Sequence, residues 1–267
     1  MADGLDFSGT GVLVTGGASG IGRTTVDAFA ARGAAVAVCD LDPERTGEVV
    51  RELGNRHVAA PGDVSQPDEV AALVETARTG LGRIDVLVNC AGVSDSFSPT
   101  AEQTIEHWQR IIDINLTGTY LTCRAVAPDM MAAGGGAIVN ISSIAGLAGL
   151  PRRNAYTASK HGVAGLTRAL AGEWAQQGVR VNAVAPGYIR TPMTQTLIEA
   201  GKVDEMRIRR RTPMGRMGEP GEVADLMLYL ASPLASYVTG AVIPVDGGYL
   251  AYAAATDAAD IEEPRTG

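Results

Sequence analysis

Short runs of apolar, β-branched residues alternate with longer amphipathic stretches along almost the whole chain. This alternation is typical of βαβ units, in which parallel strands are connected by helices that cover both faces of one sheet. The predicted strands span residues 12–14, 35–39, 57–60, 84–89, 137–141, 180–184 and 242–245. The predicted helices span residues 21–32, 43–53, 67–81, 105–131, 154–177 and 221–230. No linker interrupts the pattern, so we expect a single α/β domain over residues 1–250, built on a doubly wound parallel sheet.

Two segments depart from this alternation. Residues 191–220 form a long insertion before the last predicted helix, and we expect this insertion to close over a substrate as a lid. Residues 251–267 are rich in alanine and then acidic, without apolar periodicity. We expect them to form a mobile tail.

Composition and charge argue against several classes of protein. The 267 residues carry a formal net charge of −8, whereas nucleic-acid-binding proteins normally have a basic surface. Three cysteines stand far apart without a CxxC pair, and the three histidines lie in separate elements, where we interpret them as surface or packing residues. We therefore expect no disulfide framework and no metal site.

The chain also lacks a clear membrane or export signal. Two uncharged stretches, 130–151 and 226–245, are interrupted by polar residues, glycines or prolines, which favours buried core over a membrane span. The first residues are acidic, without the basic start of a signal peptide. We expect a cytoplasmic protein.

A glycine-rich loop, TGGASGIG at residues 15–22, directly follows the first predicted strand and precedes a helix. Glycines there allow a tight turn and a close approach of a pyrophosphate to the backbone, and the helix N-terminus offers free N–H groups. A turn without any ligand can contain the same glycines. The position between a first strand and a helix favours a dinucleotide-binding site.

Asp40 ends the second predicted strand, eighteen residues after Gly22. A carboxylate at this place accepts hydrogen bonds from the ribose hydroxyls of NAD and repels the 2′-phosphate of NADP. The sequence therefore favours NAD. Arg23 and Arg45 lie close enough in sequence to serve a 2′-phosphate, so NADP stays open as an alternative.

Tyr156 and Lys160 are four residues apart on a predicted helix and therefore share one face of it. An ammonium group near a phenol lowers the pKa of the phenol, which can then act as general base or acid towards an alcohol or carbonyl. Ser142 and Ser143 follow the strand 137–141, at the edge of the sheet where such folds bind ligands.

Taken together, these motifs resemble the short-chain dehydrogenase/reductase family, and the resemblance covers residues 7–250. It implies a Rossmann-type sheet with the strand order 3-2-1-4-5-6-7. It also implies a catalytic tetrad whose serine lies thirteen residues before the tyrosine, which favours Ser143 over Ser142. The tetrad residues are Asn115, Ser143, Tyr156 and Lys160.

The resemblance further implies a cofactor site at the ends of the strands. The residues implied are Gly16, Ser19, Gly20, Ile21, Gly22, Asp40, Leu41, Asp63, Val64, Asn89, Ala91, Gly92, Tyr156, Lys160, Pro186, Gly187, Ile189 and Thr191. The motif at 89–92 departs from the family pattern, because Cys90 stands where the family has asparagine. This difference puts one hydrogen bond of the motif in question.

By the same resemblance, Tyr156 removes the proton of the substrate hydroxyl and Ser143 holds the substrate oxygen. Lys160 lowers the pKa of the tyrosine and binds the nicotinamide ribose, and Asn115 keeps a water in a proton relay. The family commonly forms tetramers, so we expect a homotetramer that pairs through the helices at 105–131 and 154–177.

Substrate contacts in this family come from variable loops above the sheet. The residues predicted to contact substrate are Ser94, Ser143, Arg152, Asn154, Tyr156, Tyr188 and Met193. Arg152 and Arg153, and a group of arginines in the insertion, stand out in an acidic protein. They form either a solvated, ion-paired surface or a site for an anionic substrate.

The sequence as a whole predicts an NAD-dependent oxidoreductase that interconverts a secondary alcohol and a ketone. The expected substrate is a small molecule such as a polyol, a sugar or a hydroxy acid. Two alternatives stay open: an NADPH-dependent ketone or 3-oxoacyl reductase, and a non-catalytic dinucleotide-binding protein.

Overall fold

The computed structural model describes residues 5–259 and contains one parallel seven-stranded sheet within them, in the order β3-β2-β1-β4-β5-β6-β7. The strands are β1 (Gly11–Thr15), β2 (Ala35–Cys39), β3 (Val58–Ala59), β4 (Val86–Asn89), β5 (Gly136–Ile141), β6 (Val179–Pro186) and β7 (Val242–Val245). The predicted α/β class, strand number and strand order are confirmed. The observed strand bounds lie within two residues of the predicted ones.

The helices alternate with the strands as predicted. They are α1 (Gly20–Ala31), α2 (Pro43–Leu53), α3 (Pro67–Leu81), α4 (Ile105–Ile112), α5 (Gly118–Ala132), α6 (Asn154–Trp174), α7 (Pro192–Glu199), α8 (Glu205–Arg211) and α9 (Pro220–Ala231). Side chains at their first turns explain several of the starts. The Asp42 carboxylate accepts hydrogen bonds from the backbone of Glu44 and Arg45 at the start of α2, and Thr104 and Asp204 cap α4 and α8 in the same way.

The two faces of the sheet bury two separate apolar clusters. Val12 and Val14 of β1 point into one cluster, which α1 and α9 cover, whereas Leu13 between them points into the other. That second cluster is completed by α3, α5 and α6. Because side chains alternate along a strand, each β-branched run supplies both faces of a sheet buried on both sides.

The stretch 105–131, predicted as one helix, is interrupted. After α4 the backbone widens into a π-helical turn, Asp113–Thr117, and α5 follows. Such turns occur frequently at functional sites. This turn contains Asn115, whose side chain is fully buried.

The insertion at 191–220 contains the two short helices α7 and α8 before α9 begins. The predicted tail, 251–267, is described only as far as residue 259, and its last eight residues lie outside the described part. Within that part, the backbone N–H groups of Ala258 and Ala259 donate to the carbonyl of Arg210 in α8. Over residues 5–259, none of the helices has both the length and the apolar character needed to cross a bilayer.

Phe29 provides a direct test of the core on the α1 side of the sheet. Its side chain is fully buried and meets Phe7 edge-to-face, with 4.8 Å between ring centroids. We expect Phe29→Ala to lower the free energy of unfolding by about 3–5 kcal/mol, because it removes an aromatic ring and leaves a cavity. Denaturant unfolding measures this change, and a loss below about 1 kcal/mol would contradict the packing described.

Candidate active site

A cavity of about 520 Å³ opens at the carboxyl ends of the strands, where the strand order reverses between β1 and β4. Its lining includes nearly all the residues predicted to bind a cofactor. These are Gly16, Ser19, Gly20, Ile21, Gly22, Asp40, Leu41, Asp63, Val64, Ala91, Gly92, Tyr156, Lys160, Pro186, Gly187, Ile189 and Thr191. Ser143 and Met193 also line the cavity, together with Arg110 and Thr194, which sequence reasoning did not select.

Asn89 was predicted at the cofactor, but its side chain lies beneath the cavity and is not part of the lining. Its amide nitrogen donates to the Asn140 side chain (3.0 Å), and its oxygen accepts from Thr122 (2.7 Å). The amide of Asn140 donates in turn to Thr167 (3.0 Å). These buried polar groups tie β4 to β5, α5 and α6, so Asn89 supports the floor of the site.

Two glycines of the glycine-rich loop, Gly16 and Gly22, leave no room for a side chain. A Cβ on Gly16 would lie 2.8 Å from the backbone nitrogen of Ala91, and a Cβ on Gly22 would collide with the carbonyl oxygen of Gly16. Gly16 also has a positive φ of 65°, which favours glycine. No side chain caps the N-terminus of α1 at Ser19, and its first turn contains no acidic residue. The loop therefore fits a pyrophosphate, which needs close backbone approach and free N–H groups.

Asp40 lies at the end of β2 with its carboxylate fixed in place. One oxygen accepts from the backbone N–H of Ala18 (3.1 Å) and the other from that of Leu41 (2.8 Å). Each carboxylate oxygen can accept a second hydrogen bond, so the group can still bind ribose hydroxyls.

The two arginines that could serve a 2′-phosphate are paired elsewhere. Arg23 contacts Asp27 (3.0 Å) and Glu52 (2.6 Å). Arg45 contacts Asp42 at 3.3 Å. Neither arginine lines the cavity.

Asn115 holds the loop that follows β4. Its side-chain oxygen accepts from the backbone N–H of Val93 (2.8 Å), and its amide donates to the Val93 carbonyl (3.0 Å) and to Ser159 on α6 (3.3 Å). The π-helical turn thus brings one amide between the β4 loop and α6. Asn115 itself is buried behind the cavity lining.

Lys160 is almost completely buried, and its Nζ donates to the carbonyl of Ile141 at 2.9 Å. The Nζ also lies 5.7 Å from the centroid of the Tyr156 ring. Burial lowers the pKa of Lys160, and the charge of Tyr156 opposes that shift. The ammonium therefore depends on the groups around it for stabilisation.

The two serines after β5 differ in what their hydroxyls do. The Ser142 hydroxyl donates to the carbonyl of Lys160 (3.0 Å) and is used within the fold. The Ser143 hydroxyl accepts from the backbone N–H of Ala145 (3.1 Å), so its own proton stays available to a ligand. This difference supports Ser143 as the serine of the site.

Asp95, in the loop after β4, anchors the start of α6. Its buried carboxylate accepts from the backbone N–H of Tyr156 (3.1 Å) and contacts the His107 ring (3.0 Å). Burial raises the pKa of Asp95, but the hydrogen bonds from His107, Tyr156 and Ser96 outweigh it, so the pKa is lowered. His107, interpreted from sequence as a surface or packing residue, is instead part of the support of Tyr156.

The residues predicted to contact substrate do not all lie at the cavity. Ser94, Arg152, Asn154 and Tyr188 are absent from its lining. Arg152 is exposed, and the Asn154 amide donates to Thr100 at 2.6 Å. Tyr188 instead packs against the ring of Tyr249, with 5.6 Å between centroids.

Arg153, next to Arg152, is also absent from the cavity lining, but it is the arginine that reaches the tyrosine. Its guanidinium carbon lies 4.4 Å from the centroid of the Tyr156 ring. The sequence singles out both arginines, but the predicted substrate contact was Arg152. Arg152 has a positive φ of 63°, which turns the chain so that the following side chain faces Tyr156.

Cys90 occupies the position where the family pattern has asparagine, and it is one of the residues that line the cavity. Burial raises the pKa of this thiol to about 12. The thiol therefore stays protonated at neutral pH and is not a nucleophile.

Comparisons with known proteins agree with this geometry. Residues 16–250 match the family model described as enoyl-(acyl carrier protein) reductase. The chain is 41% identical over 246 residues to a cyclohexanol dehydrogenase of Acinetobacter sp., covering 91% of this chain and 96% of that protein. It is 44% identical over 243 residues to a cis-4-hydroxycyclohexanecarboxylate dehydrogenase of Sinomonas cyclohexanicum, covering 90% and 96%.

A longer relative and a solved structure extend these matches. An uncharacterized short-chain type dehydrogenase/reductase of Sinorhizobium fredii is 46% identical over 239 residues, which cover 90% of this chain but only 43% of that protein. The crystal structure of a short-chain type dehydrogenase/reductase from Mycobacterium marinum has a TM-score of 0.86 and 38% identity, over 92% of this chain and 97% of that one.

The chain therefore belongs to the short-chain dehydrogenase/reductase family. It is an oxidoreductase that acts on alcohols or ketones, and members of its family use nicotinamide cofactors.

The support of Tyr156 by Asp95 generates a pH prediction. We expect Asp95→Asn to destabilise the protein by about 1–3 kcal/mol at neutral pH, because the amide loses charge-assisted hydrogen bonds with His107 and the Tyr156 backbone. Folding lowers the pKa of Asp95 below 3.8, so the stabilisation is present above that pH and is lost as the pH falls further. Denaturant unfolding at several pH values should show the difference between the two proteins shrinking below about pH 4. A difference that stays constant into acid would contradict this role.

Proposed function

We propose that the protein is an NAD-dependent dehydrogenase that interconverts a small secondary alcohol and the corresponding ketone. The observation that carries the proposal is the set of groups around one cavity. Ser143, Tyr156 and Lys160 lie at one end and Asp40 at the other, and the glycine-rich loop lies between them. The relatives named for cyclohexanol and for a hydroxycyclohexanecarboxylate favour an alcohol on a carbon ring.

A nicotinamide cofactor, when bound, supplies the acceptor or donor of the hydride. We propose that Tyr156 accepts the proton of the substrate hydroxyl and returns it in the reverse direction. Ser143 donates a hydrogen bond to the substrate oxygen, since its own proton is not used by the fold. Lys160 places a positive charge 5.7 Å from the centroid of the Tyr156 ring, where it stabilises the negative charge that develops on the phenol oxygen during proton transfer.

Asn115 takes a different part in this proposal. Its side chain is fully used to hold Val93 and Ser159, so it positions the β4 loop against α6. The wider π-helical turn around it changes which backbone carbonyls accept hydrogen bonds within the helix. We propose that this turn holds the water of a proton relay that leads from Lys160 to solvent.

The first residues of the insertion support a lid. Met193 and Thr194 line the cavity from the first turn of α7, and α8 follows. Arg190 at the base of the insertion contacts Glu205 of α8 (3.1 Å) and Glu219 before α9 (3.3 Å). We propose that α7 and α8 close over the substrate about this ion-paired base.

Exposed apolar side chains support the proposed homotetramer. Ile105 (76% exposed) and Trp108 (38%) lie on α4, and Tyr120 (44%) lies on α5, the helices proposed to pair between subunits. Large exposed apolar side chains on neighbouring helices are consistent with an interface. We further propose that the protein works in the cytoplasm on small molecules.

Tyr156 gives the most direct test of the reaction. We expect Tyr156→Phe to keep the fold and NADH binding but to lose at least about 100-fold in kcat, because the general base is removed. NADH formation from NAD and cyclohexanol measures turnover, and circular dichroism and NADH fluorescence measure fold and binding. Tyr229→Phe, the same change on α9, should keep full activity. Turnover near that of the wild type in Tyr156→Phe would overturn the assignment of Tyr156. Binding of NAD by the wild type without turnover of any alcohol with NAD or NADP would instead favour a non-catalytic dinucleotide-binding protein.

Asp40 gives the test of cofactor choice. We expect the wild type to have a higher kcat/KM with NAD than with NADP. Asp40→Ser should lower the ratio of these two kcat/KM values at least about tenfold, because no carboxylate then repels a 2′-phosphate. Glu44→Gln removes a neighbouring charge that does not line the cavity and pairs with neither Arg23 nor Arg45, and it should leave the ratio unchanged. A wild type that prefers NADP would favour the alternative, an NADPH-dependent ketone or 3-oxoacyl reductase.

A further inference from the structure

The guanidinium of Arg153 lies between two aromatic rings. Its central carbon is 4.9 Å from the centroid of Phe97 and 4.4 Å from that of Tyr156. Stacking of this kind fixes the plane of the guanidinium and leaves its edges, which carry the N–H donors, open to other groups. Arg153 is thus held rigidly against the residue that we propose as the proton acceptor.

The donors of Arg153 are poorly used by the protein itself. Nη2 contacts the Ser94 hydroxyl at 3.5 Å, the upper limit of a hydrogen bond. Nε is buried and has no hydrogen-bond partner within residues 5–259. No carboxylate in this part of the chain forms an ion pair with Arg153. A half-buried guanidinium without a counter-ion and with unused Nη donors is well suited to bind an anion.

Three arginines of the insertion behave differently, whereas Arg211 lies over the ring of Tyr249 and also has a buried nitrogen without a partner in the described chain. Arg207 contacts Asp204 (3.4 Å), Arg216 contacts Glu222 (2.7 Å), and Arg209 donates to the carbonyl of Gly215 (3.2 Å). These contacts satisfy the charges on the surface of the protein. The anionic-substrate interpretation therefore applies to Arg153 and not to the arginines of the insertion as a group.

The backbone around Arg153 is also unusual. Phe97 (φ 64°) and Arg152 (φ 63°) are the two non-glycine residues with positive φ among residues 5–259. This conformation is unfavourable for residues with a side chain and persists where the surrounding structure imposes it. One of these residues supplies a ring of the stack, and the other directly precedes the arginine.

The charge of Arg153 also acts on Tyr188, which lies two residues after the end of β6. Burial raises the pKa of Tyr188, and among the charges that act on this phenol is that of Arg153, which opposes the rise. Tyr156 also acts on it. Arg153, Tyr156 and Tyr188 thus form one neighbourhood above the ends of the strands.

We propose that Arg153 binds a carboxylate on the substrate, so that hydroxy and keto acids are preferred over neutral alcohols and ketones. This inference rests on the proposed function, because it takes Tyr156 as the group that meets the substrate hydroxyl. A carboxylate is planar and accepts two parallel hydrogen bonds, which matches the two terminal Nη groups of the guanidinium. It takes the place of the weak contact between Nη2 and Ser94.

The test compares two ring alcohols that differ only in charge. The first is cis-4-hydroxycyclohexanecarboxylate, and the second is its neutral amide, cis-4-hydroxycyclohexanecarboxamide. We expect the wild type to have the higher kcat/KM with the carboxylate. Arg153→Gln should lower kcat/KM for the carboxylate about 10- to 100-fold, mainly through KM, and change that for the amide by less than about threefold.

Three further variants separate the guanidinium of Arg153 from charge alone and from neighbouring arginines. Arg153→Lys keeps the charge without the planar fork and should restore only part of the preference. Arg152→Gln removes the neighbouring, exposed charge and should keep the preference. Arg211→Gln removes another stacked arginine, whose Nη1 is also buried without a partner in the described chain, and should keep it too. Loss of the preference in either of these last two variants but not in Arg153→Gln would overturn the proposal.

The outcomes separate this inference from the proposed function. Turnover of both alcohols without a preference for the carboxylate would overturn the role of Arg153 and leave the dehydrogenase intact. An equal fall for both substrates in Arg153→Gln would overturn it as well, since the arginine would then only position Tyr156. Calorimetry with cyclohexanecarboxylate and cyclohexanecarboxamide, in the presence of NADH, tests binding without turnover. Tighter binding of the carboxylate that disappears in Arg153→Gln supports the proposal, and equal binding of both compounds overturns it.

Discussion

The site depends on a contact between two backbone segments that leave no space for a side chain. Gly16, after β1, lies against Ala91, after β4, at the place where these two strands pair in the centre of the sheet. The reversal of strand order at this pair opens a crevice between the loops that diverge from it. Every other part of the cavity is arranged around that crevice, because the remaining strands end along the same edge.

Helix α6 is fixed to this edge at several points, and Tyr156 lies between them. Asp95 holds the backbone of Tyr156 from the β4 loop, and the Asn115 amide donates to Ser159 from the π-helical turn. On the other side, Lys160 is joined to the end of β5 by its Nζ and by its carbonyl. These contacts come from separate elements, so the position of the phenol is determined by the whole edge of the sheet.

Much of the fold follows from patterns that are visible in the sequence. The strands were predicted within two residues because each is a compact apolar run, and the starts of α2 and α3 because a proline opens each of them. The π-helical turn was missed because its residues continue the helical pattern of their neighbours. A wider turn changes the backbone hydrogen bonds and not the type of side chain.

The predicted site residues likewise divide into those that sequence patterns reveal and those that they do not. The cofactor lining follows from motifs at fixed positions after strands, and most of it meets at one cavity. Asn89 differs because a motif does not say whether a polar side chain faces the ligand or the core. The partners Asp95 and His107 are twelve residues apart in different elements, so spacing does not reveal them. The predicted substrate contact was Arg152, but Arg153 is the arginine that contacts Tyr156. This difference depends on the positive φ of Arg152, which no sequence pattern specifies.

The central claim is that this cavity transfers a hydride directly between an alcohol carbon and a nicotinamide, with Tyr156 handling the proton. Incubation of the protein with NAD and cyclohexanol deuterated at the carbinol carbon tests it most directly, with mass spectrometry of the cofactor as the measurement. The account predicts NADH that contains the deuterium, formed by the wild type and not by Tyr156→Phe. NADH without deuterium, or no NADH from any secondary alcohol despite tight binding of NAD, would contradict it.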